Sequence, residues 1–546
     1  MVILAVILPG WVTFPAVASG DLPAPNGYVV LFHPDDGLFV GDQVSFQILA
    51  PHGVNLDKKT FRVSFDQPNK ITSLGSADFF LDGFGDQYQA ILPWAWDTIR
   101  LAPGRYTFSF QINPAGLTWK QTITLAAPLP NQPHWVTTTS DCCTYYYISG
   151  TAVERDIAQI KSLADAQAKD VASRFNSTFK ASIPLELMSR VLGHGGFTSD
   201  EIYVSYLDRN YASDQVQMVL HHEMVHLLDG QLGGDLRPTL LVEGLAVYLT
   251  GGHFKPEPLL PRAAALPGLG LYLPLPALAD DFYVAQHEVG YLEGGALIAY
   301  MVNTWGWQGF SDFYRDIKPI ANKPQSASID AALRTHFNLS FSQLEEQFLN
   351  YLAQIPINPD LSSDVRLTVD YYEAMRRYQQ VLDPSAYFRQ AWLPDAKTMR
   401  QKNITADLVR HPDTADNQTI ELLLINARQE MVAGNFDQAE QGIRVVNAVL
   451  SAIQKNSPNY MAVTPLSQEM AAVVQMLDQC GMEPQDVQLG QQTGQATVII
   501  TWPNLENTNL VKTSQGWQTQ PACQPVPTPT KTNLFAAWQE WQYVAP

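Results

Sequence analysis

The chain has 546 residues, a formal net charge of −19 from 34 basic and 53 acidic side chains, and a composition that is 46% hydrophobic and 11% aromatic. That composition is one of folded protein rather than disorder, and the length exceeds a single hydrophobic core, predicting about three or four units. An acidic balance without clustered Lys and Arg excludes nucleic acid as a partner.

The first 20 residues, MVILAVILPGWVTFPAVASG, carry no charge and end in the small-x-small triplet Ala16-Val17-Ala18. Residues 1–26 are therefore expected to be a signal peptide or signal-anchor remnant, placing the protein outside the cytoplasm, secreted or held at the cell envelope. A buried strand of the first domain is the alternative. Membrane association would run through this N-terminus, because no later stretch reaches about 18 uninterrupted apolar residues.

Residues 27–127 read as short alternating segments (YVVLF, QVSFQIL, FRVSFD, YQAILPW, RYTFSFQI, QTITLAA) separated by Gly, Pro, Asn and Asp. Regular short strands of this kind predict an all-β immunoglobulin-like sandwich. The Pro-bearing APLPNQPHW then reads as a linker.

From 134 to 356 the pattern turns to mixed α and β, with a helical period from Val153 to Phe175, the strands IPLELMS and EIYVSYLD, and helical runs at 238–250, 291–317 and 328–355. Polar helices follow over 360–480, and IELLLINARQEMVAGNFDQAEQGIRVVNAVL resembles one tetratricopeptide unit turning at Gly434-Asn435. Residues 481–546 suggest a small β-hairpin region and a solvated Pro/Thr tail, PVPTPTKT. The four cysteines offer one separated pair, Cys480 with Cys523; Cys142 and Cys143 are neighbours, which seldom bond to each other. With no CxxC spacing, a cysteine zinc site is not supported.

Chemistry concentrates in MVLHHEMVHLLDGQLGG, which holds three of the chain's 11 His. His222 and His226, four apart on a helix, put both imidazoles on one face, with Glu223 beside them. His221 has Val at the matching position, so it is expected to be solvated or to support the site rather than to be a ligand. A catalytic zinc site needs a third protein ligand plus an open position. The continuation HExxHxxGxxH fails, with Asp229 and Leu232 where Gly and His belong. Downstream, PTLLVEGLAVYLTGG follows a Gly/Pro-rich reversal and supplies Glu243 as the third ligand, with Gly244 beside it leaving room for close packing.

HEMVH followed by P-x-L-L-x-E-G-L-A-x-Y resembles the gluzincin zinc peptidases, in particular the exported peptidase MA-like proteins of bacteria. YLEGGALIAYMVNTWGWQGFSDFYRDI and IDAALRTHFNLSFSQLEEQFLNYL follow in the family's order, and the resemblance covers about 134–355. It implies an α+β, thermolysin-like catalytic domain binding one zinc ion per chain through His222, His226 and Glu243, with Glu223 as general base activating water against a peptide or protein substrate. Two departures stand out. Leu240 replaces a frequent Trp, and Val247 stands where thermolysin-like members place an Asp to orient the first His, leaving the partner of His222 unassigned.

The resemblance makes Tyr291 the first choice for stabilising the oxyanion, ahead of Tyr248 and His287, while His253 and His194 are expected at the surface. Substrate would pair along EIYVSYLD as an edge strand. The apolar stretch LPRAAALPGLGLYLPLPALADD, 260–281, would wall the cleft, touch a membrane, or pack as an irregular connection. The competing function is an inactive cell-envelope binding or scaffold protein that retains the fold. Glu223 separates the two, because a scaffold has no use for a carboxylate beside the metal. Cleavage preference and oligomeric state are not written in the sequence.

Overall fold

The computed structural model describes residues 25–34, 38–67, 70–81, 87–114, 116–128, 132–191, 195–212, 215–253, 255–283, 287–383, 396–405, 414–489, 495–502, 506–514, 516–520 and 522–523. Residues 1–24 of the expected leader at 1–26, His194 and the tail PVPTPTKT lie outside them. Two compact units emerge, one ending at Gln132 and one running from Pro133 to Lys531.

In the first unit the alternation becomes eight strands: β1 (Val29–His33), β2 (Gln43–Leu49), β3 (Thr60–Gln67), β4 (Lys70–Asp78), β5 (Phe80–Leu81), β6 (Tyr88–Asp97), β7 (Gly104–Asn113) and β8 (Leu117–Leu125). They form two antiparallel sheets of order β1-β2-β6-β5 and β4-β3-β7-β8. Period-two side chains such as Phe108, Phe110 and Ile112 turn inward and are fully buried, each large one contributing about 1.5–3 kcal/mol. Phe61 meets them from the neighbouring strand β3, and Phe46 and Trp96 from the facing sheet, with Trp96 edge-on to Phe108 at 4.8 Å. β4 escapes the sequence pattern because KITSLGSAD alternates too weakly. At the start of β7 the Tyr106 hydroxyl donates to the Ala102 carbonyl at 2.6 Å, fastening the strand to the turn before it. Tyr106→Phe should lower the stability of this unit by about 0.5–1.5 kcal/mol, the worth of one such bond. Urea denaturation checks this, and an unchanged midpoint would deny the bond any role.

The second unit opens on β9 (Trp135–Thr139), β10 (Cys143–Ile148), helix α1 (Ala152–Arg174), β11 (Ile183–Met188), β12 (Gly196–Thr198) and β13 (Ile202–Ser205). Its sheet runs β12-β13-β11-β10-β9, with β10, β11 and β13 parallel and both outer strands antiparallel. This corrects the expected edge. EIYVSYLD supplies β13, an inner strand whose four residues are all buried, as suits a strand paired on both sides. The edges are β9 and, next to β13, the short Gly196–Thr198 strand.

Helices α2 (Val216–Leu232), α3 (Thr239–Thr250), α4 (Leu259–Leu269), α5 (Leu275–Asp280), α6 (His287–Arg315), α7 (Gln325–Phe337), α8 (Phe341–Leu352) and α9 (Pro359–Val381) follow. Residues 260–281 are therefore neither an irregular connection nor a free apolar loop. Ala263, Ala264, Leu266, Leu275 and Leu278 are buried in the core, and Arg262 beneath them is paired with Glu257 and Asp364. Beyond lie α10 (Ala396–Gln401), α11 (Ala415–Ala433), α12 (Phe436–Gln454) and α13 (Pro465–Gln479). α11 and α12 turn at Gly434, whose φ of 79° favours glycine. The expected C-terminal hairpin is a four-stranded antiparallel sheet, β14 (Glu483–Leu489), β15 (Gln495–Trp502), β16 (Glu506–Thr513) and β17 (Gly516–Thr519). The polar EPQDVQL of β14 carries no apolar alternation to announce it.

Cys480 bonds Cys523 as expected. Cys142 also bonds Cys143, against expectation, where the chain bends at Asp141 and Cys142 before entering β10. Among the described residues no helix is long and apolar enough to cross a membrane.

Candidate metal centre

α2 is buried over most of its circumference, with Leu220, Met224, Val225 and Leu228 in the core and His222 and Glu223 less than a tenth exposed, as is Glu243 on α3. The turn to α3 depends on Gly234, where a Cβ would fall 1.8 Å from the Arg315 carbonyl oxygen. Arg237 pins the same turn by donating to the buried Asp229 at 2.8 Å. α3 then crosses α6 closely at Gly244, whose Cβ would lie 2.5 Å from the Gly294 carbonyl oxygen. That contact sets Glu243 on α3 near Tyr291 on α6. Val247, at the position of the missing Asp, packs instead on Gly295 of α6, where a Cβ would come within 2.5 Å of it.

Glu243 Oε2 lies 3.2 Å from His222 Nε2 and 3.4 Å from His226 Nε2, and the three ligand atoms all fall within 4.8 Å of one another. A tetrahedral zinc with bonds of about 2.0–2.1 Å spaces its ligand atoms about 3.3 Å apart, so the donor set fits that ion in kind and spacing. Burial alone would depress His226, but hydrogen bonding to Glu243 and the charges of Glu243, Glu223 and Asp229 raise it to about 9. Burial would likewise raise Glu243, yet the hydrogen bonds and charges of both histidines hold it well below the usual carboxylate range. Nδ1 of His222 and of His226 is buried and meets no hydrogen-bond partner among the described residues. Packing therefore orients the rings, which stand 4.7 Å apart at 85°.

No family model and no curated protein matches this chain. A solved aminopeptidase N family protein from Idiomarina loihiensis aligns over 59% of this chain and 70% of its own, at 9% identity and a TM-score of 0.23. A likeness that distant carries no argument, and the site stands on its own geometry.

Around the three ligand atoms the structure rearranges several expectations. His221 is not solvated: it is 4% exposed, with Nδ1 2.9 Å from Thr250 Oγ1 and Nε2 2.8 Å from Asp170, tying α1, α2 and α3 together. Burial, outweighing Asp170, lowers its pKa. His253 is not a detached surface residue either. Its ring stacks on Tyr291 at 3.9 Å and stands 5.5 Å from His222. Tyr291 is buried, 6.0 Å from His222, and its hydroxyl is pushed well above its ordinary pKa by burial and the charge of Glu243. Tyr248 packs half-buried against the core, and the His287 side chain lies outside the described residues.

Two contacts have no counterpart in the sequence reading. The Tyr283 hydroxyl donates to Glu243 Oε1 at 2.8 Å although the residue is 67% exposed. Thr198, ending the edge strand β12, donates to Glu223 Oε2 at 2.8 Å. Neither belongs to a periodic pattern, and only a long-range contact could reveal them.

Proposed function

We propose that the protein is a gluzincin-type zinc peptidase. The observation that carries the reading is the convergence of His222, His226 and Glu243 on one point, with the Glu223 carboxylate on the same helix as the two histidines. Zinc, when bound, would supply Lewis acidity at that point. Glu223 accepts a proton from the attacking water and passes it to the departing amine, so that water is divided between the two products. Tyr291, whose ring stands 6.0 Å from that of His222, and Tyr283, whose hydroxyl reaches Glu243 Oε1 at 2.8 Å, are the hydroxyl donors offered for the oxyanion.

An extended peptide would add to the sheet along Gly196–Thr198, the edge next to α2, through backbone hydrogen bonds indifferent to side chains. The first unit is read as an immunoglobulin-like sandwich on its strand order and the Tyr106 bond. Two disulfides favour an oxidising, extracytoplasmic compartment. The test is metal content and turnover. The purified chain should hold about one zinc, cleave a mixed peptide library, stop when treated with a chelator and resume when zinc is returned. Full cleavage by metal-free protein would remove the assignment.

A further inference from the structure

The edge strand is pressed against the zinc-ligand helix at two places. At Gly196 a Cβ would lie 2.7 Å from both the Tyr203 carbonyl oxygen and Val219 Cγ1 on α2, and 3.7 Å from Glu223 Cγ. Two residues on, the Thr198 hydroxyl reaches Glu223 twice, at 2.8 Å from Oε2 and 3.2 Å from the backbone carbonyl oxygen. Among the described residues Oε1 of Glu223 accepts no hydrogen bond. A hydroxyl has one proton to donate. Here it has two acceptors on one residue, so it can hold the carboxylate or fall back on the carbonyl without being left unpaired.

From this geometry we infer that Thr198 is a positioning residue for Glu223. It fixes one carboxylate oxygen, leaves the other to accept a proton, and ties the orientation of Glu223 to the strand on which substrate would lie. The inference rests on the reading of Glu223 as general base. When Glu223 takes a proton on Oε1, Oε2 remains an acceptor and the Thr198 bond survives; when Glu223 returns that proton, the same bond is still in place to the carboxylate. The hydroxyl is never transferred and no bond to Thr198 is made or broken. Because β12 has only three residues, paired on one side to β13, contact with α2 contributes to its placement.

The test compares Thr198→Val, which removes the hydroxyl and keeps the branched shape, with Thr198→Ser, which keeps the hydroxyl. Zinc content and melting temperature should match wild type in both variants. In Thr198→Val, kcat should fall about 10- to 100-fold with KM within about twofold, a part of the roughly 10²–10⁴ that a positioned base supplies, while Thr198→Ser retains most of the rate. An unchanged kcat in Thr198→Val, a loss confined to KM, or a serine variant as impaired as the valine variant would overturn the proposal. Crystal structures of the zinc-loaded proteins decide independently of turnover: the Glu223 carboxylate should occupy one orientation in wild type and several in Thr198→Val, and an undisturbed carboxylate in the variant counts against it. Glu223→Gln run in parallel keeps the two claims apart. If Glu223→Gln cleaves as wild type does, the general-base reading fails; if it is inactive while Thr198→Val is not, only the positioning role fails.

Discussion

Glu223→Gln should abolish most peptide cleavage and leave zinc in place. The amide has nearly the shape of the carboxylate and its oxygen can still accept the Thr198 hydroxyl, which lies 2.8 Å from Oε2 in the native chain, so folding and strand contact should persist. What is lost is the capacity to take a proton at neutral pH. General-base catalysis by a placed side chain is worth about 10²–10⁴ in rate, and that is the drop to expect in kcat with zinc at one equivalent. Mass spectrometry of the intact metalloprotein and a fluorogenic library read the two quantities separately. Comparable cleavage by both proteins would assign the base elsewhere, and no cleavage by either would favour the scaffold reading.

On the proposed reading, Glu243→Gln acts on the metal site instead of the base. The carboxylate is the one anion among the three ligands, it is 7% exposed, and it faces both imidazoles. Breaking a buried charge pair costs about 3–5 kcal/mol, which for a buried divalent ion corresponds to about a 10²- to 10⁴-fold weaker zinc affinity. The pH dependence gives a second signature. His226, raised to about 9 from 6.5, is protonated at neutral pH in the metal-free protein, so zinc must displace that proton. Affinity should therefore climb by up to about tenfold per pH unit until pH 9 and then level.

The sign for the metal-free fold is opposite. The His226–Glu243 pair stabilises it fully between the two groups' ordinary values of 4.5 and 6.5, loses that contribution in acid as Glu243 is protonated, and ceases to stabilise as pH rises through about 9. In Glu243→Gln the partner that raises His226 is gone, burial dominates, and the climb in affinity between pH 7 and 9 should flatten. Competition against a chromophoric chelator across this range measures both effects. A variant that binds zinc as tightly as wild type, with the same pH slope, would remove Glu243 from the ligand set.

Much of this site was legible because helical neighbours four apart share a face whatever surrounds them. His222 and His226 needed only a helix, and the run from Val216 to Leu232 provides one. Glu243 required more, since its approach depends on a reversal at Gly234 and on the α3–α6 crossing at Gly244 and Gly294. The glycines hinted at close contact without naming what would be met. Strands such as β7 announced themselves through period-two burial, whereas the three residues of β12 are too few to show any period. The edge was accordingly assigned to its more apolar neighbour, β13.

His221 and His253 show the limit from the other side. Local spacing removed His221 from the ligand face, but Asp170 and Thr250, which bury and hold it, lie on helices remote in sequence. His253 stands beside glycines that suggested an outside turn, and the turn folds back so that its ring stacks on Tyr291.

By itself the sequence determined the alternation of the first unit, the helices that carry the donors, and which side chains could grip a metal, because each follows from covalent spacing and backbone period. Tertiary structure alone decided which strand became the edge, which hydroxyls reached Glu223 and Glu243, and what surrounds each histidine. Those outcomes are contacts between distant segments, selected by how buried faces pack, and no local period encodes them.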